Sequence, residues 1–234
     1  MTARLKASAI ALDERLERCN LALEAGCVTL IVGPNGAGKT SLLRVLAGIE
    51  GDGDIKIDGE TLASLPPSRR TAMLAFLGAS RDVRWPLTAR DFVALGLAGS
   101  VDSDRVEHAL RSLEAEIFAA RRLDRLSTGE RSRVMIARAL APGAGVVLLD
   151  EPCANLDPKW QLVVLDRLRA EAQAGAVVAL SIHDLDLARR HGDRVIVVEN
   201  GRIAADGAPA DALSDGIVER VFGVRREKDC WVRA

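Results

Sequence analysis

The sequence GPNGAGKTS, residues 33–41, fits the phosphate-loop pattern G-x-x-x-x-G-K-[ST]. An apolar, β-type run over residues 27–32 precedes it, and a helical pattern over residues 41–47 follows it. Because glycines carry no side chains, the backbone can curl until several N–H groups face one point, and the next helix adds its positive N-terminal end. The stretch therefore predicts a site for the phosphates of a nucleotide. Its members are Gly33, Pro34, Asn35, Gly36, Ala37, Gly38, Lys39, Thr40 and Ser41.

Two side chains of this loop have specific chemistry. Lys39 is expected to reach the β- and γ-phosphates of the nucleotide, and the Thr40 hydroxyl is expected to bind Mg²⁺. The alternative is a glycine-rich turn that only links a strand to a helix. The complete motif between a strand and a helix favours the phosphate site.

A second motif is an apolar strand, residues 146–149, that ends in the two carboxylates Asp150 and Glu151. In open α/β sheets, ligand chemistry lies at the carboxyl ends of the strands. Asp150 is placed to hold Mg²⁺ through its water shell. Glu151 is placed to orient or deprotonate the water that attacks the γ-phosphate. The alternative, two solvated turn acids, is disfavoured by the phosphate loop upstream.

Composition narrows the class of protein. The chain has 234 residues, a net charge of −1 and 48% hydrophobic residues, which is typical of a soluble globular protein. Such a charge predicts no general attraction to nucleic acid or to an anionic membrane. No apolar run approaches the roughly 20 residues that span a bilayer, and we find no signal peptide. We therefore expect a cytosolic subunit whose membrane role, if it has one, comes through partners.

The order of predicted elements indicates an α/β fold with a mainly parallel sheet that is covered on both faces. Strands and helices alternate over residues 1–78 and 143–234, whereas residues 79–142 show only helical patterns, with Thr88 as one expected N-cap. Residues 4–12 are predicted to form an edge strand. The chain is thus predicted to be one domain, 1–234, in which residues 79–142 form a helical insertion.

Three further stretches follow in a specific order: LSTGE at residues 126–130, ANLD at 154–157 and SIHD at 181–184. Together with the two nucleotide motifs, they resemble the signature motif, the D-loop and the switch-histidine motif of the ATP-binding cassette (ABC) ATPases. The resemblance covers nearly the whole chain. It implies a RecA-like phosphate-loop NTPase core with a helical insertion subdomain and an N-terminal antiparallel β region.

The resemblance also implies roles for residues outside the phosphate loop. The signature residues would contact ATP held by the opposite subunit of a two-fold homodimer; they are Ser127, Thr128, Gly129 and Glu130. Asp157 would link the two sites, and His183 would contact the γ-phosphate and steady the attacking water. Lys39, Glu151 and His183 would then be the catalytic set. The alternatives are that Ser127 only caps its helix and that His183 is a surface or capping residue.

The sequence departs from the family pattern in three regions. Ala79 stands where the family usually carries a glutamine that couples nucleotide state to the membrane partner, and only Ser80 or Asp82 offers a replacement oxygen nearby. Residues 8–17 contain no aromatic to stack on adenine, so Ile10 or Leu12 is expected to pack on the base and ATP binding to weaken by about 1 kcal/mol. In the signature, Thr128 and Glu130 replace the commoner glycine and glutamine.

The segment over residues 85–96 and the tail from His183 to Val224 resemble the importers of iron-siderophores, haem and cobalamin. This resemblance implies an ATP-hydrolysing subunit that is peripheral on the cytoplasmic face of the inner membrane. It would drive two transmembrane permease subunits, to which a periplasmic solute-binding protein would deliver the solute. Trp85 is a candidate anchor for the permease, or else it packs inside the helical insertion. Two other functions stay open: a soluble assembly or regulatory ABC protein, and a nucleotide-binding scaffold without turnover.

Overall fold

The computed structural model describes residues 3–80, 83, 85–97, 102–228 and 230–234, so Asp82 lies outside the described residues. The strands are β1 (Ala3–Leu12), β2 (Leu16–Glu24), β3 (Val28–Val32), β4 (Asp52–Ile57), β5 (Glu60–Thr61), β6 (Leu74–Leu77), β7 (Val146–Leu149), β8 (Val177–Ser181), β9 (Arg194–Glu199), β10 (Arg202–Gly207), β11 (Val224–Glu227) and β12 (Cys230–Arg233). The α-helices are α1 (Lys39–Leu46), α2 (Pro67–Met73), α3 (Ala89–Ala94), α4 (Ser103–Arg111), α5 (Thr128–Leu140), α6 (Pro158–Gln173), α7 (Leu185–His191), α8 (Pro209–Ala212) and α9 (Asp215–Phe222).

A six-stranded sheet in the order β10-β9-β3-β8-β7-β6 forms the centre of the fold. Its neighbours from β9 to β6 pair in parallel, and only β10 runs antiparallel to β9. Strands β3, β7 and β8 are buried along their whole length. Strands that are buried on both faces read as continuous apolar runs, which is the pattern seen here. The predicted mainly parallel, doubly covered sheet is confirmed.

Each face of this sheet packs against a different layer. On β3, Leu30 belongs to one hydrophobic cluster, which includes side chains of α3, α4, α5 and α6. The adjacent Ile31 belongs to a second cluster, shared with α1 and the N-terminal strands. Successive side chains of a strand point to opposite faces, so the alternation assigns one layer to each face.

The N-terminal sheet is antiparallel, in the order β2-β1-β4-β5. Here the prediction of an edge strand over residues 4–12 is wrong, because β1 lies between β2 and β4. Helix α2 begins directly after Pro66, with Pro67 in its first turn. Proline suits that position because the first helical N–H has no partner inside the helix.

The regular elements in the described part of residues 79–142 are helices. Helix α3 begins at the predicted N-cap, where the Thr88 hydroxyl accepts a hydrogen bond from the Asp91 N–H at 3.1 Å. Helix α4 is capped by Asp102, whose carboxylate accepts from the N–H groups of Asp104 and Arg105 at 3.0 and 3.1 Å. In the described part of the chain, every helix is too short or too polar to cross a lipid bilayer.

Parallel pairing brings the carboxyl ends of five strands to one edge of the sheet. The phosphate loop leaves β3, Asp150 and Glu151 leave β7, and His183 follows β8 by two residues. Ala79 follows β6, and the turn at Asn200 follows β9. Sequence motifs that lie far apart in the chain therefore meet in space.

Candidate nucleotide site

The phosphate loop turns tightly between β3 and α1. Gly36 and Gly38 have φ values of 77° and 107°, which lie in the left-handed region that glycine adopts without strain. A Cβ on Gly38 would stand 2.9 Å from the carbonyl oxygen of Arg15, and a Cβ on Gly33 would stand 2.2 Å from that of Val198. These glycines are required by backbone conformation and by the close approach of other chain segments.

Lys39, the first residue of α1, lies against its own loop. Its ammonium donates hydrogen bonds to the carbonyl oxygens of Gly33 and Pro34 at 2.8 and 3.0 Å, and the residue is only 5% exposed. Burial lowers the pKa of Lys39, while the charges of Glu151 and Asp150 act in the opposite direction. The two carbonyls are neutral acceptors, and phosphate oxygens would offer the same ammonium a charged and therefore stronger partner.

A cavity of about 500 Å³ opens beside the loop. Its volume lies within the range of small-molecule sites. The lining residues come from the loop, from the end of β7 and from two turns that follow β1 and β9; they are Glu14, Arg15, Asn35, Gly36, Ala37, Gly38, Lys39, Thr40, Ser41, Glu151, Asn200 and Gly201.

Ser181, at the end of β8, connects the two acids that follow β7. Its hydroxyl donates to the Asp150 carboxylate at 2.6 Å and accepts from the Glu151 N–H at 2.8 Å. Asp150 and Ser181 are both fully buried, and the Asp150 N–H donates to the Leu77 carbonyl at 2.7 Å. The sequence reasoning gave Ser181 no role, although a polar residue at the end of a buried strand was a signal for one.

Glu151 and His183 form the second connection at this edge. The His183 Nε2 lies 2.7 Å from the Glu151 Oε1, so the imidazole and the carboxylate share a hydrogen bond. Glu151 has a φ of 49°, a left-handed conformation that is uncommon for a side chain of this type. Such strain persists where the surroundings fix the backbone, and here the Ser181 hydroxyl holds the Glu151 N–H. The pair suits a base whose partner fixes its orientation.

Oxygen donors suitable for Mg²⁺ lie at the same edge. Thr40 lines the cavity, and the Asp150 carboxylate is buried beside Ser181. Among the described residues there is no cluster of three or more His, Cys, Asp or Glu side chains that would form an all-protein metal cage. Mg²⁺ in nucleotide sites needs none, because it is held by one or two protein oxygens together with phosphates and waters.

The signature residues form the N-terminus of α5. The Ser127 hydroxyl accepts from the Glu130 N–H at 3.2 Å, and the Glu130 carboxylate accepts from the Ser127 N–H at 2.8 Å. This second bond is the main reason that the pKa of Glu130 is lowered. Ser127 therefore does cap its helix, as the structural alternative held. Ser127 and Thr128 are nevertheless exposed, so this helix end faces solvent in the single chain.

The signature helix and the D-loop are neighbours. A Cβ on Gly129 would stand 3.6 Å from the Asn155 carbonyl oxygen and from a Leu156 methyl group. Asp157 is exposed at the N-cap of α6. None of the residues 127–130 or Asp157 lines the cavity at the phosphate loop. The predicted site residues thus fall into two groups, one at the carboxyl edge of the sheet and one on the α5 end with the D-loop.

The predicted adenine contacts need a correction. Ile10 is 0% exposed and belongs to the core beneath the N-terminal sheet, so it offers no surface to a base. Leu12 packs partly against the same core and does not line the cavity. The residues that do line it there are Glu14, Arg15 and the Asn200–Gly201 turn, which sequence reasoning missed. Ala79 is exposed beyond β6, beside the strand that carries Asp150.

Ser181→Ala is expected to lower the free energy of unfolding by about 2 kcal/mol, because it removes a hydrogen bond to a buried carboxylate. Ser132→Ala is the matched control, since its hydroxyl is equally buried but has no hydrogen-bond partner within the described residues. That variant should be as stable as the wild type or slightly more so. Urea unfolding of the three proteins measures this. Equal stability of the two variants would show that the Ser181 bond is energetically unimportant.

Comparison with known proteins agrees with the geometry. The family model described as "ABC transporter" matches residues 16–154. The hemin import ATP-binding protein HmuV of Rhodopseudomonas palustris is 38% identical over 223 residues, which are 89% of this chain and 82% of that protein. The protein of the same name from Myxococcus xanthus is 37% identical over 228 residues, 91% of this chain and 85% of the relative.

Solved structures share the fold. A dimeric ATP-binding cassette in a post-hydrolysis state with ADP and Pi superposes with a TM-score of 0.78 at 26% identity, covering 88% of this chain and 98% of that chain. An ATP-binding subunit of an ABC transporter gives 0.79 at 26% identity, covering 97% and 95%. The chain therefore belongs to the ABC transporter family, as an ATP-hydrolysing, ATP-binding subunit of its importer branch.

Proposed function

We propose that this subunit binds Mg·ATP in the cavity beside the phosphate loop, hydrolyses it within a two-fold dimer, and so drives the import of haem. The observation that carries the proposal is the convergence of Lys39, Asp150, Glu151 and His183 at one edge of the sheet. Glu151 has a strained backbone and is in hydrogen-bond contact with His183, so its carboxylate is held in a fixed orientation. A base that acts on an attacking water needs such an orientation.

The phosphates bind through the backbone of residues 33–41 and through Lys39. The loop N–H groups and the N-terminus of α1 supply partial positive charge. The Lys39 ammonium leaves the carbonyls of Gly33 and Pro34 for phosphate oxygens. Because Lys39 is already held at the loop and largely out of water, little reorganisation is needed when the nucleotide arrives.

Thr40 would hold Mg²⁺ through its hydroxyl, and Asp150 would hold it through water. The bound ion would neutralise charge on the phosphates. Ser181 fixes the Asp150 carboxylate through its 2.6 Å hydrogen bond, so that this acid is oriented before the nucleotide binds.

Glu151 and His183 act on the water that attacks the γ-phosphate. The Glu151 carboxylate accepts a hydrogen bond from that water and orients or deprotonates it. His183 is exposed and holds the carboxylate in place through its Nε2. Ser181 fixes the backbone of Glu151, so the two acids and the histidine act as one unit.

The second group of residues completes the site of another copy. Ser127, Thr128, Gly129 and Glu130 lie on an exposed helix end, and Asp157 is exposed nearby. A helix N-terminus suits the phosphates of a nucleotide. In an isologous dimer, the α5 end of each copy covers the cavity of its partner and makes two equivalent sites. A related cassette solved as a dimer with ADP and Pi supports this arrangement.

The helical subdomain, residues 79–142, docks on the two transmembrane permease subunits, which places the chain on the cytoplasmic face of the inner membrane. Trp85 is 53% exposed although its ring meets Phe92 edge-on at 6.1 Å. Leu95 is exposed as well, so this part of the subdomain offers apolar surface to a partner. Aromatic anchors of this kind often dominate the energy of an interface.

Haem is the solute supported by the relatives, since this chain matches several hemin import ATP-binding proteins along most of their length. A periplasmic solute-binding protein would deliver it to the permease. The solute contacts would lie in those other subunits, because the cavity of this chain is built for phosphates.

Glu151→Gln is expected to lower the rate of ATP hydrolysis by at least about 100-fold, because an amide is too weak a base to take a proton from the attacking water. Its affinity for nucleotide should stay within about twofold of wild type, since the amide is isosteric with the carboxylate. Phosphate release and equilibrium nucleotide binding are measured on both proteins. Glu219→Gln on α9 is a control that removes the same charge on the exposed surface. Wild-type phosphate release no faster than that of Glu151→Gln would refute the catalytic proposal.

In proteoliposomes that contain the permease, a haem-loaded binding protein should stimulate the ATPase, and a siderophore-loaded one should not.

Trp85→Ala is expected to keep the basal ATPase and to lose this stimulation, because docking is impaired. Leu162→Ala on α6 is the matched control, as another exposed apolar side chain outside the docking surface. Undiminished stimulation of Trp85→Ala would refute the anchor, and stimulation by the siderophore alone would refute haem as the solute.

A further inference from the structure

One wall of the nucleotide cavity has no role in binding the phosphates or magnesium. Beyond the phosphate loop it is lined by Glu14 and Arg15, at the turn between β1 and β2, and by Asn200 and Gly201, at the turn between β9 and β10. No Trp or Phe is among the described residues that line it, and the sequence has no Tyr. A purine that leaves the phosphate loop along this wall therefore meets no aromatic ring.

The β1–β2 turn is fixed against the phosphate loop. The Arg15 carbonyl oxygen lies within 2.9 Å of the positions where a Cβ on Gly38 or on Gly201 would stand. The Gly201 carbonyl accepts from the Glu17 N–H at 2.8 Å, and the Gly201 N–H donates to the Ala37 carbonyl at 2.8 Å. A chain of backbone contacts thus ties the turn to the loop, so the distance between them is set by the fold.

The side chain that this turn presents is a guanidinium. Arg15 is exposed, and within the described residues its side chain makes no hydrogen bond or ion pair. The turn that carries it is closed by the Arg15 N–H, which donates to the Leu12 carbonyl at 3.0 Å, and by Glu14 with a left-handed φ of 59°. Among the described residues that line the cavity, Arg15 carries the only planar cation.

We propose that the Arg15 guanidinium stacks on the adenine ring and supplies the base contact of this site. The inference rests on the proposed function, since it requires the triphosphate to lie in the phosphate loop. A guanidinium is planar and weakly hydrated, and it packs face to face on aromatic rings. The loop N–H groups, the α1 N-terminus and Lys39 already serve the phosphates, which leaves the base as the part of the nucleotide without a partner.

The test is equilibrium calorimetry of the full chain with two ligands, Mg·ADP and inorganic tripolyphosphate, which has no base. Arg15→Ala is expected to weaken ADP binding roughly five- to tenfold and to leave tripolyphosphate binding unchanged. Arg15→Lys keeps the charge without the planar group and should weaken ADP binding as much as alanine does. Arg15→Trp restores a flat stacking surface and should return ADP affinity to within about twofold of wild type.

Two controls separate the possible failures. Arg233→Ala removes a positive charge from an exposed position outside the cavity and should bind both ligands as the wild type does. Thermal unfolding verifies that each variant is folded.

Unchanged ADP affinity in Arg15→Ala would overturn the inference. So would full ADP affinity in Arg15→Lys, combined with equal losses of ADP and tripolyphosphate in Arg15→Ala, because that pattern is an ion pair with phosphate. If Lys39→Ala bound tripolyphosphate as tightly as the wild type, the proposed function itself would fail.

Discussion

The parallel pairing of β3, β8 and β7 is the constraint on which the site depends. Because these strands run in the same direction in adjacent positions, the phosphate loop, His183 and the two acids leave the sheet at one edge. The strands are buried along their whole length, and this burial fixes their register. The core therefore determines where the residues at the strand ends lie. A shift of one residue would move Asp150 and Ser181 to opposite faces and break the contact between them.

Hydrogen bonds of Ser181 link the residues at this edge to one another. Its hydroxyl joins the carboxylate proposed to hold magnesium to the backbone of the proposed base, and that base in turn holds His183. Each group is therefore positioned by another before any ligand arrives, which is how a site lowers the cost of reorganisation. The signature helix end is outside this unit in the single chain, and its exposure is what a dimeric site requires.

Local chemistry was predictable from sequence, whereas contacts set by tertiary pairing were not. The phosphate loop, Asp150 and Glu151 could be predicted as site residues because residue type, spacing and flanking pattern all lie within a short stretch. The β1 edge prediction failed because pairing with β4 joins residues about fifty positions apart. Ile10 was misplaced because irregular pairing on both sides of it turns its side chain into the core. The partners of Ser181 depend on strand register, and the role proposed for Arg15 depends on the packing of a turn, so neither can be predicted from the neighbouring sequence alone.

The central claim is that one triphosphate is gripped by the loop at Lys39 and exposed to Glu151 and His183 at the same edge. A crystal structure of the chain with Mg²⁺ and a non-hydrolysable ATP analogue tests it most directly. We expect the Lys39 ammonium to have left the Gly33 and Pro34 carbonyls for phosphate oxygens, with Glu151 nearest the γ-phosphate and the Ser127 end of a second copy closing the cavity. An analogue bound elsewhere, with Lys39 still on its own carbonyls, would contradict the claim.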